Sequence, residues 1–506
     1  MNADFSLQLS AGVHIIDSKP APIEVETMKV HINVKNFGPI EEAEIDLRPL
    51  TVFVGESNTG KTYLATLIYT LHRHFGGIPQ FPWADSVSTY FSFLYGPRNR
   101  YPQSEQKALE QELLEVVEKL NTLEHPFKFS DLPQHISTQS ESMLTNQEDF
   151  INELKRCLDL ESVSKLIRFT GSRDNEMKVA LSVREGDQTC WSFEARDAGS
   201  GPTITGHINP DIILLEANDA MRKTEFHEIS DVEHLFRILH ARRWRTRNAY
   251  YLPAARSGIM QSHGVIKLAL VKHATRNRFE VSTFSGVIGD FFEQIVNYRE
   301  STISPNSVRR VAEELEAELL EGRIEDKRPA SEASPEFLYR PEQSEYTLRM
   351  SHASAMVSEL APLVYLLRHS VQRGELLIIE EPESHLHPDL QTKIAHILAR
   401  LVRAGVRVLI TTHSNYLLQQ IGNLIREGEL QKLGESTSES ADHLKKEEVG
   451  AWQFHKNEPV TELPFDLVEG IEPEDHLDIA EDLYNRAAGL QNRIEETKAG
   501  DAVEPE

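Results

Sequence analysis

The octapeptide Gly55-Glu56-Ser57-Asn58-Thr59-Gly60-Lys61-Thr62 constrains this chain more than any other stretch. It follows a nearly continuous apolar run, residues 50–54, short enough to be a buried strand. It leads into a segment, residues 63–72, in which Leu64, Leu67, Ile68 and Leu71 share one helical face. Strand, glycine loop and helix in this order form a phosphate loop of the pattern G-x-x-x-x-G-K-[ST]. Successive backbone N–H groups of such a loop converge on phosphate oxygens. Lys61 reaches the outer phosphates and Thr62 offers its hydroxyl to Mg2+. The glycines matter because a side chain there blocks close backbone approach.

A second stretch complements the first. Residues 376–379 (Leu-Leu-Ile-Ile) read as a buried strand that ends in Glu380 and Glu381. Two carboxylates at such a strand tip imply a positive partner, for which Mg2+ is the natural candidate. Glu380 is then expected at the metal position, directly or through water, with Glu381 polarising the attacking water. A third stretch, Thr411-Thr412-His413-Ser414, follows another apolar strand; a neutral His413 there can hydrogen-bond a terminal phosphate or the attacking water.

Around these motifs the expected organisation is an N-terminal extension (1–28), the first half of a core (29–75), an inserted helical and β region (76–249), a connecting strand, helical region and linker (250–345), the second half of the core (346–424) and an acidic C-terminal segment (425–506). The first half reads as strand, turn, strand, strand. The insertion reads as a charged helix (105–123), a polar connector (134–148), strands at 178–183 and 189–195 and a helix at 231–246. Residues 250–253 look like a strand returning to the core, and 323–342 like a charged, Pro-containing linker. In the second half, a strand at 346–350, a helix at 355–372, the strand ending at Glu380, a helix at 389–403 and a strand at 406–411 alternate as a parallel α/β layer requires. A strand at 451–455 and a helix at 473–493 complete the reading.

Together, the glycine loop, residues 376–388 (Leu-Leu-Ile-Ile-Glu-Glu-Pro-Glu-Ser-His-Leu-His-Pro) and Thr411 to Ser414 resemble an ABC-type ATPase of the SMC, RecF and OLD group. Tyr251-Leu252-Pro253-Ala254-Ala255-Arg256-Ser257 and residues 351–363 are similar to the AAA-like stand-alone ATPases of bacterial defence islands. The resemblance implies an α/β fold: an ABC-type P-loop ATPase head with a largely helical inserted region containing a small β element. It implies ATP and Mg2+ as ligands, with Lys61, Glu381 and His413 in catalysis, Gly55 to Thr62 around the nucleotide, and Thr62 and Glu380 at the metal. Residues 352–360 stand where such families carry a signature motif but lack its glycines; Ser354 is suited to cap the following helix and aim it at a phosphate across a dimer interface. Gln261 is a candidate for the glutamine-loop residue.

ABC-type sites are completed by a second copy, so the resemblance implies a homodimer or an assembly of dimers. After His413 no Asp-x-Asp pair follows, so a TOPRIM nuclease of the OLD type is not expected. The arrangement then resembles the ATPase halves of two-component antiphage systems of the PARIS and Septu types, which control a separately encoded effector, with a phage protein or DNA as trigger. A RecF-like repair ATPase that loads on DNA is the alternative, and a transporter subunit fits least.

Charge bears on that choice. Against 53 Lys and Arg stand 79 Asp and Glu, a net −26, so the chain as a whole is not drawn to nucleic acid or to an anionic membrane. A local cluster of Arg237, Arg242, Arg243, Arg245 and Arg247, with Trp244 and Tyr250 nearby, suits a nucleic-acid backbone and a stacked base, an acidic partner, or simply a solvated helix face. The acidic stretch 313–321 reads most simply as a soluble arm, or more sharply as a short coiled coil or phosphate mimic. Two cysteines do not make a disulfide scaffold, no apolar run spans a bilayer, and a cytoplasmic setting is expected.

Overall fold

The computed structural model describes residues 28–78, 125–167, 176–215, 248–262, 284–296, 306–327, 336–434, 442–473 and 483–495, with parts of 111–121. In chain order its strands are β1 (Met28–Phe37), β2 (Ile40–Asp46), β3 (Leu50–Gly55), β4 (Phe127–Lys128), β5 (Met177–Glu185), β6 (Gln188–Asp197), β7 (Thr203–Ile208), β8 (Ile213–Leu215), β9 (Ala249–Leu252), β10 (Gly322–Lys327), β11 (Glu336–Pro341), β12 (Leu348–Arg349), β13 (Leu376–Glu380), β14 (Arg407–Thr412), β15 (Val449–Phe454) and β16 (Thr461–Leu463). The helices include α1 (Lys61–His74), α2 (Gln134–Leu144), α3 (Gln147–Leu158), α4 (Gly286–Val296), α5 (Ser307–Leu315), α6 (Ala355–His369), α7 (Pro388–Arg403) and α8 (Asn415–Lys432).

The apolar runs become the centre of a six-stranded sheet, in the order β16-β15-β3-β14-β13-β9. From β15 to β9 every pairing is parallel. Parallel strands are covered on both faces, which is why these sequences are apolar on both faces through most of their length. Phe53, Ile378 and Leu409 join one core, while Val52, Val54, Leu377, Ile379, Val408 and Ile410 join the other. The second core is closed by α6, α7 and α8. The α/β class expected from the sequence is the one adopted.

The other core lies beneath a five-stranded antiparallel sheet, β2-β1-β5-β6-β7. Val30, Ile32 and Val34 alternate inward opposite Val183, Leu181 and Val179. The β element expected inside the insertion is therefore continuous with the first strands of the chain. Phe75, Phe150, Trp191 and Phe193 fill the space between this sheet and the ends of α1 and α3, with ring centroids 5.0–5.2 Å apart.

Several expectations are corrected. The polar connector 134–148 is mostly α2, which turns Ile136, Ser140 and Leu144 inward at helical spacing. The linker 323–342 contains the antiparallel pair β10 and β11, and the strand expected at 346–350 is reduced to β12, which joins that small sheet and not the parallel one. The acidic stretch 313–321 is no free arm. It continues α5 through a π-helical turn, Glu316–Leu320, that buries Leu319 and Leu320, and the buried Glu316 pairs with Arg368 at 2.6 Å and accepts from the Ile324 N–H at 2.6 Å. Tyr250 is buried in β9 and donates to the Ser370 carbonyl, so it is unavailable for stacking on a base. The helix at 231–246, Trp244 and all five arginines of the basic cluster lie outside the described residues, as do most of the charged helix at 105–123 and residues 1–27; of the helix expected at 473–493, only the part within 483–495 is described.

Candidate functional site

The glycine loop leaves the end of β3, where the backbone must turn sharply. Gly55 has φ +137°, and a Cβ there would meet the Phe454 carbonyl oxygen of β15 at 2.2 Å, so no other residue fits. Gly60 has φ +109° and lies against Ile40. Thr59 donates to the Glu56 carbonyl at 2.8 Å and staples the loop from within. Beyond it, α1 begins with no side-chain cap and no acidic residue in its first turn. Its first N–H groups are therefore available to an anion. Glu56, Ser57, Asn58 and Thr62 are exposed.

Lys61 is buried and donates to the Gly55 and Glu56 carbonyls at 2.7 and 2.6 Å. Burial lowers its pKa to about 8, while the carboxylates of Glu381, Glu383, Glu380 and Glu56 pull the other way. A buried ammonium facing four carboxylates marks where the sequence-distant motifs meet.

They meet because the strands are parallel and adjacent: β14 lies between β3 and β13, so the loop, the carboxylate pair and His413 all stand at the same edge. Ligands of open α/β sheets bind at this carboxyl edge. Glu380, buried, accepts from the Tyr251 hydroxyl on Oε1 and from the Ala254 N–H on Oε2, each at 2.9 Å. Glu381 takes a left-handed backbone conformation, φ +43°, fixed by its N–H donating to the Thr411 carbonyl at 2.8 Å. Its Oε2 accepts from Ser384 at 3.0 Å, and its Oε1 lies 3.8 Å from His413 Nε2. Both side chains are partly exposed. Thr62, Glu380 and Glu381 offer only hydroxyl and carboxylate oxygens, a donor set that suits a hard cation such as Mg2+. Each Glu380 oxygen retains a second lone pair beyond its protein donor.

Two further residues carry this arrangement, and sequence reasoning gave neither a role. Glu383 is buried. Its Oε1 accepts from the Thr412 hydroxyl at 2.7 Å and the His413 N–H at 2.8 Å, which ties the loop after β13 to the histidine. Burial raises its pKa against those hydrogen bonds. Arg256, only 1% exposed, donates to the Glu380 carbonyl at 2.5 Å and the Glu381 carbonyl at 3.0 Å. Both stood in quoted motifs; the signal that marks them is a charge within an apolar, strand-ending context.

Ser354 caps α6 as expected, accepting from the Val357 N–H, and is exposed at that helix's start. Gln261 is exposed on the helical turns that follow Arg256. At the far end of α1, Tyr69 donates to Asp290 Oδ2 at 2.9 Å, and Arg73 pairs with Glu153 of α3 and Asp290 of α4 at 3.0 and 3.2 Å. Arg156 completes this hub by bonding Glu153 and Asp290. Cys157 shares the cluster, and because two arginines already neutralise its carboxylates, it reads as an ion-pair network and not a metal centre.

A family model described as "AAA domain, putative AbiEii toxin, Type IV TA system" matches residues 50–419. No curated protein matches the chain. Among solved structures, similar chains include an Smc head bound to the C-winged helix domain of ScpA (9% identity, 86% of this chain and 97% of that chain covered, TM-score 0.39) and the SMC head domain from Thermotoga maritima (10%, 87% and 99%, 0.33). A third is the Smc head domain with an extended coiled coil bound to the C-terminal domain of ScpA derived from Pyrococcus furiosus (11%, 90% and 100%, 0.37).

Proposed function

The chain belongs to the AAA ATPase-domain family whose model spans residues 50–419, and on that premise we propose that it is a Mg2+-dependent ATPase that acts as a dimer or an assembly of dimers. The observation that carries this reading is the convergence of Lys61, Glu380, Glu381 and His413 at one edge of adjacent parallel strands. Lys61 and the uncapped start of α1 bind and orient the phosphates. Mg2+, when bound, would be held by Thr62 and Glu380 and would neutralise phosphate charge. Glu381 acts as base toward water, and His413, held by Glu383 through its backbone N–H, hydrogen-bonds the terminal phosphate or that water. Ser354 at the head of α6 is the contribution we assign to a second copy's site.

The biological role we propose is bacterial antiphage defence: control of a separately encoded effector, of which a nuclease is the expected kind, triggered by a phage protein or DNA. The toxin–antitoxin description attached to the family supports that setting. The ion-pair hub supports transmission, since α1 carries Lys61 at one end and grips α3 and α4 at the other. The RecF-like alternative is weakened by the burial of Tyr250. Phosphate release with Lys61→Ala and Glu381→Gln tests the chemistry: the first is expected to lose ATP binding, the second to bind without turnover. Co-purification with the product of a neighbouring gene tests the role, and ATP turnover stimulated by DNA in the absence of any such partner would favour the alternative.

A further inference from the structure

Arg256 and Glu359 form a fully buried ion pair, 2.8 Å between Nη2 and Oε1, with 1% and 0% of the side chains exposed. Arg256 Nε donates to the Glu359 carbonyl at 3.2 Å, Nη1 to the Pro253 and Glu380 carbonyls at 3.1 and 2.5 Å, and Nη2 to the Glu381 carbonyl at 3.0 Å. Four of the five donors of the planar fork are thus taken by backbone carbonyls, and the Glu359 carboxylate, which accepts no hydrogen bond from the fork, faces Nη2 as its ion partner. Glu359 lies in α6, five residues after the capping Ser354.

Stability alone does not explain such a pair. Burial opposes both charges, lowering the guanidinium's pKa and raising the carboxyl's, and apolar residues of similar volume commonly serve a core as well. What apolar residues cannot do is hold the carbonyls of two adjacent residues at a strand tip. That tip needs holding, because Glu381 sits at φ +43°, a conformation a non-glycine residue keeps only when its surroundings impose it.

We propose that Arg256 and Glu359 are a positioning pair that clamps the backbone of Glu380 and Glu381 to the Ser354-capped helix, so that the aim of Glu381 follows the placement of α6. A shift of α6 pulls on Glu359, and through Arg256 on the carbonyls of both carboxylate residues. The head of the helix assigned to a second copy's nucleotide is thereby joined to the base in its own chain's site. This rests on the ATPase reading above.

The test is steady-state phosphate release with nucleotide binding and thermal unfolding measured alongside, on full-length wild type, Glu381→Gln, Arg256→Lys, Glu359→Gln and the double variant. Glu359→Gln, nearly isosteric, is expected to lower kcat about 10- to 100-fold, the scale of a small misalignment, with the ATP Kd within about twofold of wild type. Arg256→Lys is expected to do likewise, since an ammonium cannot span both carbonyls. The double variant is expected to be no slower than the worse single one, as for residues acting as a unit. Unchanged kcat in both single variants overturns the proposal, as does loss of ATP binding in step with turnover and a lowered Tm, which marks a purely structural pair. Failure of the ATPase reading looks different: wild-type turnover that is absent, or that Glu381→Gln leaves intact.

Discussion

Lys61 offers a prediction whose size follows from its surroundings. Its pKa falls from the usual 10.5 to about 8 in the folded chain, a shift of about 2.5 pH units, equivalent to about 3.5 kcal/mol at about 1.4 kcal/mol per unit. The unfolded chain keeps this proton up to about pH 10.5, so between pH 8 and 10.5 it binds more protons than the folded chain. Folding stability therefore climbs with pH across that window, and the destabilising contribution is fully present below pH 8. Lys61→Met removes the titration but leaves the rest of the surface intact. Chemical denaturation of both proteins without nucleotide, at pH 7 and pH 9.5, should show wild type gaining about 2 kcal/mol relative to the variant. In parallel, the ATP Kd of wild type should be flat below pH 8 and weaken above it, approaching tenfold per pH unit as Lys61 loses its charge. Parallel stability curves for the two proteins, or an ATP affinity unaltered between pH 8 and 9.5, would refute the placement of a buried, proton-binding Lys61 in the phosphate loop.

Gly55→Ala forces a Cβ against the Phe454 carbonyl at φ +137° and is expected to cost about 3 kcal/mol or more, read from the urea midpoint. Glu383 carries a carboxyl raised by burial, so the folded chain holds its proton above the usual carboxylate pKa and loses stability as pH rises through that range; Glu383→Gln should be less pH-sensitive between pH 4.5 and 7 in thermal melts. Glu383→Ala, which frees the Thr412 hydroxyl and the His413 N–H, should instead lower kcat about tenfold at unchanged ATP affinity. Trp452 is 1% exposed in β15, edge-on to Phe53 at 6.3 Å and under Arg48 at 5.8 Å. Truncation to Ala should cost about 3–5 kcal/mol by denaturant unfolding, because β15 belongs to the central sheet and is not an appendage.

The central sheet was legible because its strands are buried on both faces: residues 376–379 are wholly apolar, 50–54 and 406–411 are mostly so without a polar face, and a glycine loop or a carboxylate pair ends two of them. What escaped was structure whose apolar content is thin. In β10 only Ile324 of Arg323-Ile324-Glu325-Asp326 is buried, and the charges around it resemble a linker. In α2 the inward stripe is Ile136, Ser140 and Leu144, one of them polar, with Ser140 satisfied by the Ile136 carbonyl at 2.8 Å. Arg256, Glu359 and Glu383 escaped for a different reason. A charged side chain reads as surface until its partners, more than a hundred residues away for Arg256 and Glu359 and about thirty for Glu383 and His413, are brought to it by the fold.

In the proposed mechanism Glu381 is the base of an ATP site completed between copies. Native mass measurement of Glu381→Gln with ATP and Mg2+, alongside its phosphate release, tests that most directly. The expected result is a nucleotide-loaded species of at least dimer mass, with turnover reduced about 100-fold or more from wild type. Wild-type turnover by this variant, or a monomer with ATP bound, would contradict it.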